Sequence, residues 1–401
     1  MIVQKNLLKK TIWVGLVAIL LQPLTSEAAI KPVPLKSLNK FSDSLGTELM
    51  SVTNTSVLTL KNVNQVTADI ELTARDFLDN PLWVKVVDGG SDEVGLASSA
   101  DAQGNLWIAG YSSNMRLPES ATASSKVINP DGVVVENAVP TRSDLNNLTL
   151  WQISPMGEVQ KTHILPAVQV AEIKAIAVSS SGISILGSRE SGSFVISVGS
   201  DGVFGKEFKI GSSKTKLNSI VRNNDGSMSV FGSSSETLLG KKLQGRVDGV
   251  MIKIAKNGSL TSVVRSSAVK AVRDWTGTTP NLLLTGVVKS GGSVESAITK
   301  FSSNFAPTWT KRIASTGFTN SSNGPNNSFY VGLEPTGVIT SVAKWESVNG
   351  QSLVLQFDSK GILISAFSAA ELTQIKSMGY SQAGGLFLLT ESSIFKVGAV
   401  K

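Results

Sequence analysis

The sequence contains no cysteine and only one histidine. Without cysteine the protein can form neither a disulfide nor a thiolate metal site, so its stability must come from its core. Lipid attachment at a cleaved N-terminus is excluded for the same reason. Any serine–histidine–acid triad would have to use His163. We assign His163 to an outer strand, far from where ligands would bind, and predict no catalytic residue.

Aromatic residues (6%) and charged residues (17%) are also scarce, whereas the 401-residue chain holds 36 glycines. Together with abundant serine, threonine and valine, this composition is typical of short strands joined by tight turns. No long charged run or low-complexity tract points to disorder. The length allows one large all-β domain.

Long apolar runs are absent except at Thr11–Leu21, which follows several lysines. This run is too short to cross a hydrocarbon layer, which takes about 20 residues. Pro23 ends it, and Ser26 and Ala28 are small residues at the two positions that a signal peptidase requires. The sequence therefore predicts a signal peptide over residues 1–28. The protein would be exported (secreted, periplasmic or at the cell surface), with no transmembrane span after cleavage.

A repeated unit occupies the rest of the chain. Four short apolar segments each end in glycine, and these glycines are Gly110, Gly187, Gly232 and Gly286. We expect these glycines to share one structural position. Turn glycines recur later in the unit, and Gly157, Gly202 and Gly258 are separated by 45 and 56 residues. Four short strands per unit of about 45 residues are typical of a β-propeller.

Counting these units predicts an all-β, seven-bladed β-propeller of four-stranded antiparallel blades over residues 47–401, with six blades as the alternative. The last unit, Ile375 to Ala399, has only three strands. Its fourth would be Leu35 to Phe41, in the N-terminal segment 29–46. Such pairing closes the ring and removes exposed sheet edges.

One unit carries a more specific pattern. Gly89-Gly90 and Asp92 precede an Ala-Asp-x-x-Gly-Asn stretch at 100–105 in that unit, and a later unit shows the strand that follows in the pattern, at Asp248–Lys253. These residues resemble the SBBP-type repeat of secreted bacterial β-propellers, whose hydrophobic skeleton the other units keep. The resemblance implies an extracytoplasmic binding or adhesive module without catalytic residues in the repeat. Asp101 itself should cap its own turn.

Paired carboxylates are the remaining catalytic option, since glycoside hydrolysis needs only two acids. Four carboxylates fall near the ends of predicted inner strands: Glu93, Asp101, Asp274 and Glu334. No pair among them stands out. A hydrolase or lyase in the propeller funnel is therefore the alternative to a non-catalytic binding or scaffold module. We predict no cofactor and no metal site, because Asp88 and Asp92 lack the dense acidic spacing of a calcium loop.

The longest insertions, 113–147, 233–247 and 314–326, would lie on one face of the ring, formed by connections between blades and between second and third strands. Loops of this length are often functional, although drifting insertions are an equal alternative. Basic residues in two of them are the candidate binding residues: Arg116, Arg142, Lys241, Lys242 and Arg246. The chain's net charge of +7 fits an anionic polysaccharide, a cell-wall polymer or another exported protein as partner. A nucleic-acid partner is not expected outside the cell. The plainer interpretation of the basic loop residues is that they are solvated and bind no partner.

The protein isolated after export should begin at Ala29, because the small residues Ser26 and Ala28 direct cleavage to that bond. N-terminal sequencing or intact-mass measurement checks this. An exported protein that retains Met1 would contradict it.

Overall fold

The structure is a computed structural model that describes residues 31–64, 67–114 and 145–398. The predicted signal peptide, Arg116 and Arg142 lie outside these residues. The described residues form strands β1–β29 and a short 3₁₀ turn at Pro325–Asn327. Within these ranges, no helix has the length and hydrophobicity needed to cross a bilayer.

Five sheets have four antiparallel strands each. The first contains β3 (Leu49–Val52), β4 (Val57–Asn64), β5 (Ala68–Arg75) and β6 (Pro81–Val87). The second contains β7 (Glu93–Ala100), β8 (Leu106–Ser112), β9 (Asn147–Ile153) and β10 (Val159–Leu165). The third contains β11 (Glu172–Ser179), β12 (Gly182–Arg189), β13 (Gly192–Val198) and β14 (Phe204–Ile210). The fourth contains β15 (Thr215–Arg222), β16 (Met228–Ser234), β17 (Asp248–Ile254) and β18 (Leu260–Ser266). The fifth contains β27 (Ser377–Ser381), β28 (Gly385–Leu389), β29 (Ser393–Val397) and β2 (Asn39–Asp43).

The other strands form one nine-stranded sheet. In spatial order it contains β19 (Val272–Thr278), β20 (Leu283–Ser290), β21 (Ser293–Phe301), β22 (Pro307–Asn323), β23 (Phe329–Pro335), β25 (Leu353–Phe357), β26 (Leu363–Ser368), β1 (Val33–Ser37) and β24 (Val342–Ala343).

The sheets surround a central axis. The first strand of each sheet contacts that of the next, in the order β3, β7, β11, β15 and β19. The contacts continue from β19 to the C-terminal part of β22, then to β27, which returns to β3. Apolar residues on the second and third strands pack between neighbouring sheets, as in the core cluster that joins Leu150 of the second sheet to Ile185 and Phe194 of the third. This radial arrangement is a β-propeller, so the predicted all-β class is confirmed.

The predicted count of seven four-stranded blades is wrong, and so is the alternative of six. The structure has five four-stranded blades beside the nine-stranded sheet. The cause is β22, which pairs with β21 up to Ala314 and with β23 from Ser315 onward. The register shifts between Ser315 and Thr319, where Gly317 has a φ of +98°. The segment 314–326, which we expected to be a loop, is therefore mostly strand.

The N-terminal segment joins the two ends of the chain. The predicted strand Leu35 to Phe41 is divided at the buried Leu38. Before it, β1 runs parallel to β26; after it, β2 pairs antiparallel with β29. The first strands therefore complete the last sheet and also bind it to the nine-stranded one.

The four repeat glycines do occupy one position. Each faces the residue of the first strand at which a β-bulge begins, and the partners are Gly95, Ile173, Leu217 and Trp275. At Gly232 an added Cβ would lie 2.0 Å from the carbonyl oxygen of Lys216. The bulge thus brings the neighbouring backbone into the space that any side chain would need.

Replacing Gly232 by alanine should lower the free energy of unfolding by about 1–3 kcal/mol or more, because the bulge must shift to admit the methyl group. Gly337→Ala is the matched control, since nothing lies within 4 Å of its Cβ position. Its effect should stay within about 0.5 kcal/mol. Urea denaturation compares the two variants, and equal destabilisation would argue against this role of the bulge.

Candidate functional site

The connection between β16 and β17, residues 235–247, holds the candidate residues that the structure describes. It contains a tight hairpin in which the Leu238 N–H donates to the Lys241 carbonyl (3.2 Å) and the Lys241 N–H donates to the Leu238 carbonyl (2.9 Å). Leu239 and Gly240 adopt positive φ values of 44° and 72° at its tip. Leu238 is buried and fastens the hairpin to the core. Local backbone geometry thus fixes where Lys241 lies.

A buried ion pair holds both ends of this loop. Arg265 on β18 contacts Asp248 with a nitrogen–oxygen distance of 3.2 Å, and their side chains are 6% and 0% exposed. Asp248 also accepts hydrogen bonds from the backbone N–H groups of Gln244 (3.0 Å) and Gly245 (2.8 Å). The Arg265 guanidinium donates to the Lys241 carbonyl at 3.1 Å. The pair therefore links the loop to the two strands beside it.

The surroundings of Asp248 keep it charged. Burial opposes its ionisation, but the hydrogen bonds from the loop N–H groups and the Arg265 charge outweigh burial and lower its pKa. An ionised Asp248 can keep both backbone donors bound. The loop's order thus rests on a charge that is fully compensated inside the protein.

The far end of the loop is bound to the next sheet. The Arg246 N–H donates to the Ala271 carbonyl (2.8 Å), and Val247 forms a parallel bridge with Val272. The Arg273 N–H donates to the Val247 carbonyl (2.9 Å). The loop therefore spans two sheets on the face formed by connections between second and third strands.

The exposed charge of this loop is positive. Lys241, Lys242 and Arg246 are all exposed. Glu236, the loop's acidic residue, instead accepts hydrogen bonds from the Ser212 N–H (2.7 Å) and the Thr215 hydroxyl (2.6 Å). Burial opposes its ionisation, but these bonds prevail and lower its pKa. The structure therefore brings together three of the five candidate binding residues in one ordered segment.

Near the axis, Asp274 lies among basic and amide groups. The Asn218 amide donates to its carboxylate at 3.0 Å and to the Trp275 carbonyl at 2.9 Å. Burial is the main influence and raises the pKa of Asp274, although hydrogen bonds and the charges of Lys216 and Lys174 partly oppose it. Both lysines also line a cleft of about 420 Å³ between β11, β12 and β15.

The other predicted carboxylates have separate environments. Asp101 accepts hydrogen bonds from the backbone N–H groups of Gln103 (3.0 Å) and Asn105 (2.8 Å), so its predicted role as a turn cap is confirmed. Glu334 at the end of β23 accepts from the Thr316 hydroxyl (2.9 Å). Asp274 and Glu334 lie on separate strands, β19 and β23, of the nine-stranded sheet, whereas Asp101 lies in a turn of the second sheet. Each of the three has its own hydrogen-bond donors.

His163 lies on β10, the outer strand of its sheet, as predicted. Its ring stacks on Trp107 with centroids 6.4 Å apart and packs over Gly202, where an added Cβ would lie 1.8 Å from it. Burial, followed by the nearby charge of Lys161, lowers its pKa. These contacts describe a packing residue between two sheets.

Sequence reasoning missed one cluster. Oxygen atoms of Asp69, Asp88 and Glu93 all lie within 4.8 Å of one another, and Asp69 and Glu93 are buried. Burial raises the pKa of Glu93; hydrogen bonds from Ser91 and Gly89 oppose this shift, and the charges of Asp69 and Asp88 add to it. Asp88 and Glu93 were visible near the Gly89-Gly90 motif. Asp69 precedes them on β5, and no spacing in the sequence indicates that it joins them.

Replacing Arg265 by methionine should lower the free energy of unfolding by about 3–5 kcal/mol, because Asp248 would stay buried without its partner. Amide hydrogen exchange over residues 238–247 should also accelerate. Arg312→Met is the control, since Arg312 and Glu295 form an ion pair with side chains 30% and 37% exposed. Its loss should change stability by no more than about 1 kcal/mol. Unchanged exchange in the Arg265 variant would show that the pair does not order the loop.

The sequence matches no protein-family model and no curated protein. Among solved structures, the chain is similar to a streptogramin B lyase with a TM-score of 0.52 and 11% identity, over 90% of this chain and 96% of that chain. It is also similar to BBS1N, solved in complex with ARL6DN and soaked with lead (TM-score 0.46, 10% identity, 92% and 99% covered). A third similar structure is the Dos1 propeller (TM-score 0.47, 12% identity, 92% and 96% covered). At this identity the likeness to the lyase shows the β-propeller fold and says nothing of the chemistry.

Proposed function

We propose that this chain is a non-catalytic, extracytoplasmic β-propeller that acts as a binding or scaffold module through its loop-rich face. The partner would be an anionic polysaccharide, a cell-wall polymer or another exported protein with an acidic surface. The observation that carries the proposal is the ordered loop 235–247, which exposes Lys241, Lys242 and Arg246 while its own Glu236 is half-buried and hydrogen-bonded.

The rigid backbone of this loop favours binding. The buried Arg265–Asp248 pair and the hydrogen bonds to the next sheet fix its backbone before any partner arrives. A preorganised segment loses less conformational entropy on binding than a free one. Its three exposed cations would also attract a polyanion over several ångströms, with a strength that falls as salt concentration rises.

The N-terminal sequence and the repeat support the extracytoplasmic part of the proposal. Residues 1–28 have the pattern of a signal peptide, and residues from Gly89 onward resemble the SBBP-type repeat. We therefore propose kinship with secreted propellers of that type. A ring closed by its own first strands also suits a protein that has no disulfide to stabilise it.

The alternative, a hydrolase or lyase with paired funnel carboxylates, has less support. Asp101 caps a turn, Glu334 is bound by Thr316, and Asp274 is bound by Asn218. A glycosidase would need two carboxyl groups facing one substrate with a defined spacing. These three side chains serve their local structure instead.

The test is retention of the purified protein on cell-wall fractions and on immobilised anionic polysaccharides. Charge reversal of the loop by Lys241→Glu, Lys242→Glu and Arg246→Glu together should reduce retention at least about tenfold, since each change replaces an attraction by a repulsion. Retention of the unaltered protein should fall as salt is added.

The matched control is Lys206→Glu, Lys256→Glu and Lys360→Glu together. All three residues are exposed, and they lie towards the opposite face, with Lys256 after β17 and Lys360 after β25. This variant has the same net charge as the loop variant, so it should keep its retention if the loop is the contact. An equal loss of retention in both variants would show that overall charge, and not the loop, determines binding. Unchanged retention in the loop variant would reject the proposed surface.

A further inference from the structure

Three carboxylates meet where the first and second sheets adjoin. Asp69 lies at the start of β5, Asp88 in the connection from β6 to β7, and Glu93 at the start of β7. Each offers one oxygen, and the three oxygens lie within 4.8 Å of one another. The chain thus brings three negative groups from three separate segments into one place.

Two of these groups have little access to water. Asp69 is 5% exposed and Glu93 is 3% exposed. Within the described part of the chain, no lysine or arginine forms an ion pair with any of the three. Buried carboxylates normally have a cationic partner or full hydrogen bonding, because the lost hydration must be replaced. The side chains of the described residues therefore supply no such counter-charge to the cluster.

Glu93 supplies a second and independent observation. One of its oxygens, Oε1, accepts hydrogen bonds from the Gly89 N–H (3.2 Å) and the Ser91 hydroxyl (2.9 Å). The other oxygen, Oε2, is buried and accepts no hydrogen bond from the residues that the structure describes. A buried carboxylate oxygen that the protein leaves without a donor is suited to a bound cation.

The β6–β7 connection lies close to the three carboxylates. An added Cβ on Gly89 would lie 2.7 Å from Oε1 of Glu93, so a side chain at this position would displace the Glu93 carboxylate. Asp88 is held by the Gly90 N–H, which donates to its Oδ1 at 2.7 Å. Asp69 similarly accepts from the Thr67 hydroxyl at 3.0 Å. Hydrogen bonds therefore orient each carboxylate without neutralising it.

The donor set selects the kind of ion. Carboxylate oxygens alone favour a hard cation over a transition metal. Calcium binds oxygen at about 2.3–2.6 Å, so two oxygens on one calcium ion can be separated by at most about 4.6–5.2 Å. The three oxygens all lie within 4.8 Å of one another, which calcium coordination accommodates. Calcium also tolerates irregular geometry, whereas magnesium demands a near-ideal octahedron.

We infer that Asp69, Asp88 and Glu93 form a calcium-binding site that binds the β6–β7 connection to the start of β5. This site is separate from the basic loop and does not depend on the proposed function. It would stabilise the junction between the first two sheets on the loop-rich face.

The test is thermal unfolding of the purified full chain with EDTA and with millimolar calcium chloride. Calcium should raise the Tm, because an ion that binds only the folded state stabilises it. Glu93→Gln should abolish this rise and weaken calcium binding at least about tenfold by isothermal titration calorimetry. In EDTA the same variant should unfold at a higher temperature than the unaltered protein, since one of three clustered charges is gone. A merely structural role for Glu93 would not give a variant that is more stable than the unaltered protein in EDTA and yet gains no stability from calcium.

Glu190→Gln is the matched control, because Glu190 is an exposed carboxylate in the β12–β13 turn on the same face. It should keep the full calcium response, and Asp69→Asn should lose it as Glu93→Gln does. The inference is overturned if calcium leaves the Tm of the unaltered protein unchanged, or if Glu93→Gln responds like that protein. An equal rise with magnesium chloride would overturn the assignment to calcium.

Discussion

Ring closure is the constraint on which the whole molecule depends. Each sheet packs between two neighbours, and the last sheet is completed by β2, which pairs with β29 from the other end of the chain. Without β2, the backbone groups of β29 would form an open edge, and β27 would have to hold its place against β3 with a sheet of three strands. The parallel pairing of β1 with β26 extends the same segment into the nine-stranded sheet. In a protein without disulfides, these main-chain hydrogen bonds connect the two ends of the chain in place of a covalent cross-link.

The closed ring allows its connections to carry charge without losing order. On one face, the basic loop is supported by the buried Arg265–Asp248 pair, and its backbone is bound to β19. On the same face, between the first and second sheets, Asp69 and Glu93 form a buried negative cluster with the exposed Asp88. The two features differ in how the buried charge is compensated. In one the protein compensates an internal charge to present others outward, and in the other it gathers like charges and leaves them for an ion to compensate.

Several features could be predicted because they depend on local backbone geometry. The bulge glycines share one position because the first strand bulges at the same point in each of these sheets. Asp101 caps its turn through donors only two and four residues away. His163 falls on an outer strand because the order of strands within a unit follows the order of the chain. The blade count failed because it treated every unit as a separate sheet, whereas the single strand β22 serves two groups of strands.

The sequence by itself determined the all-β class, the radial repeat and the basic character of the loop after β16, since strand alternation, turn glycines and charge are all properties of short stretches. Only the tertiary structure decided that Asp69 joins Asp88 and Glu93, that Asp248 and Arg265 anchor the loop, and that β22 merges two units into one sheet. These are relations between segments that are distant in the chain. Their distances are set by how the sheets pack around the axis, and no spacing along the sequence encodes that packing.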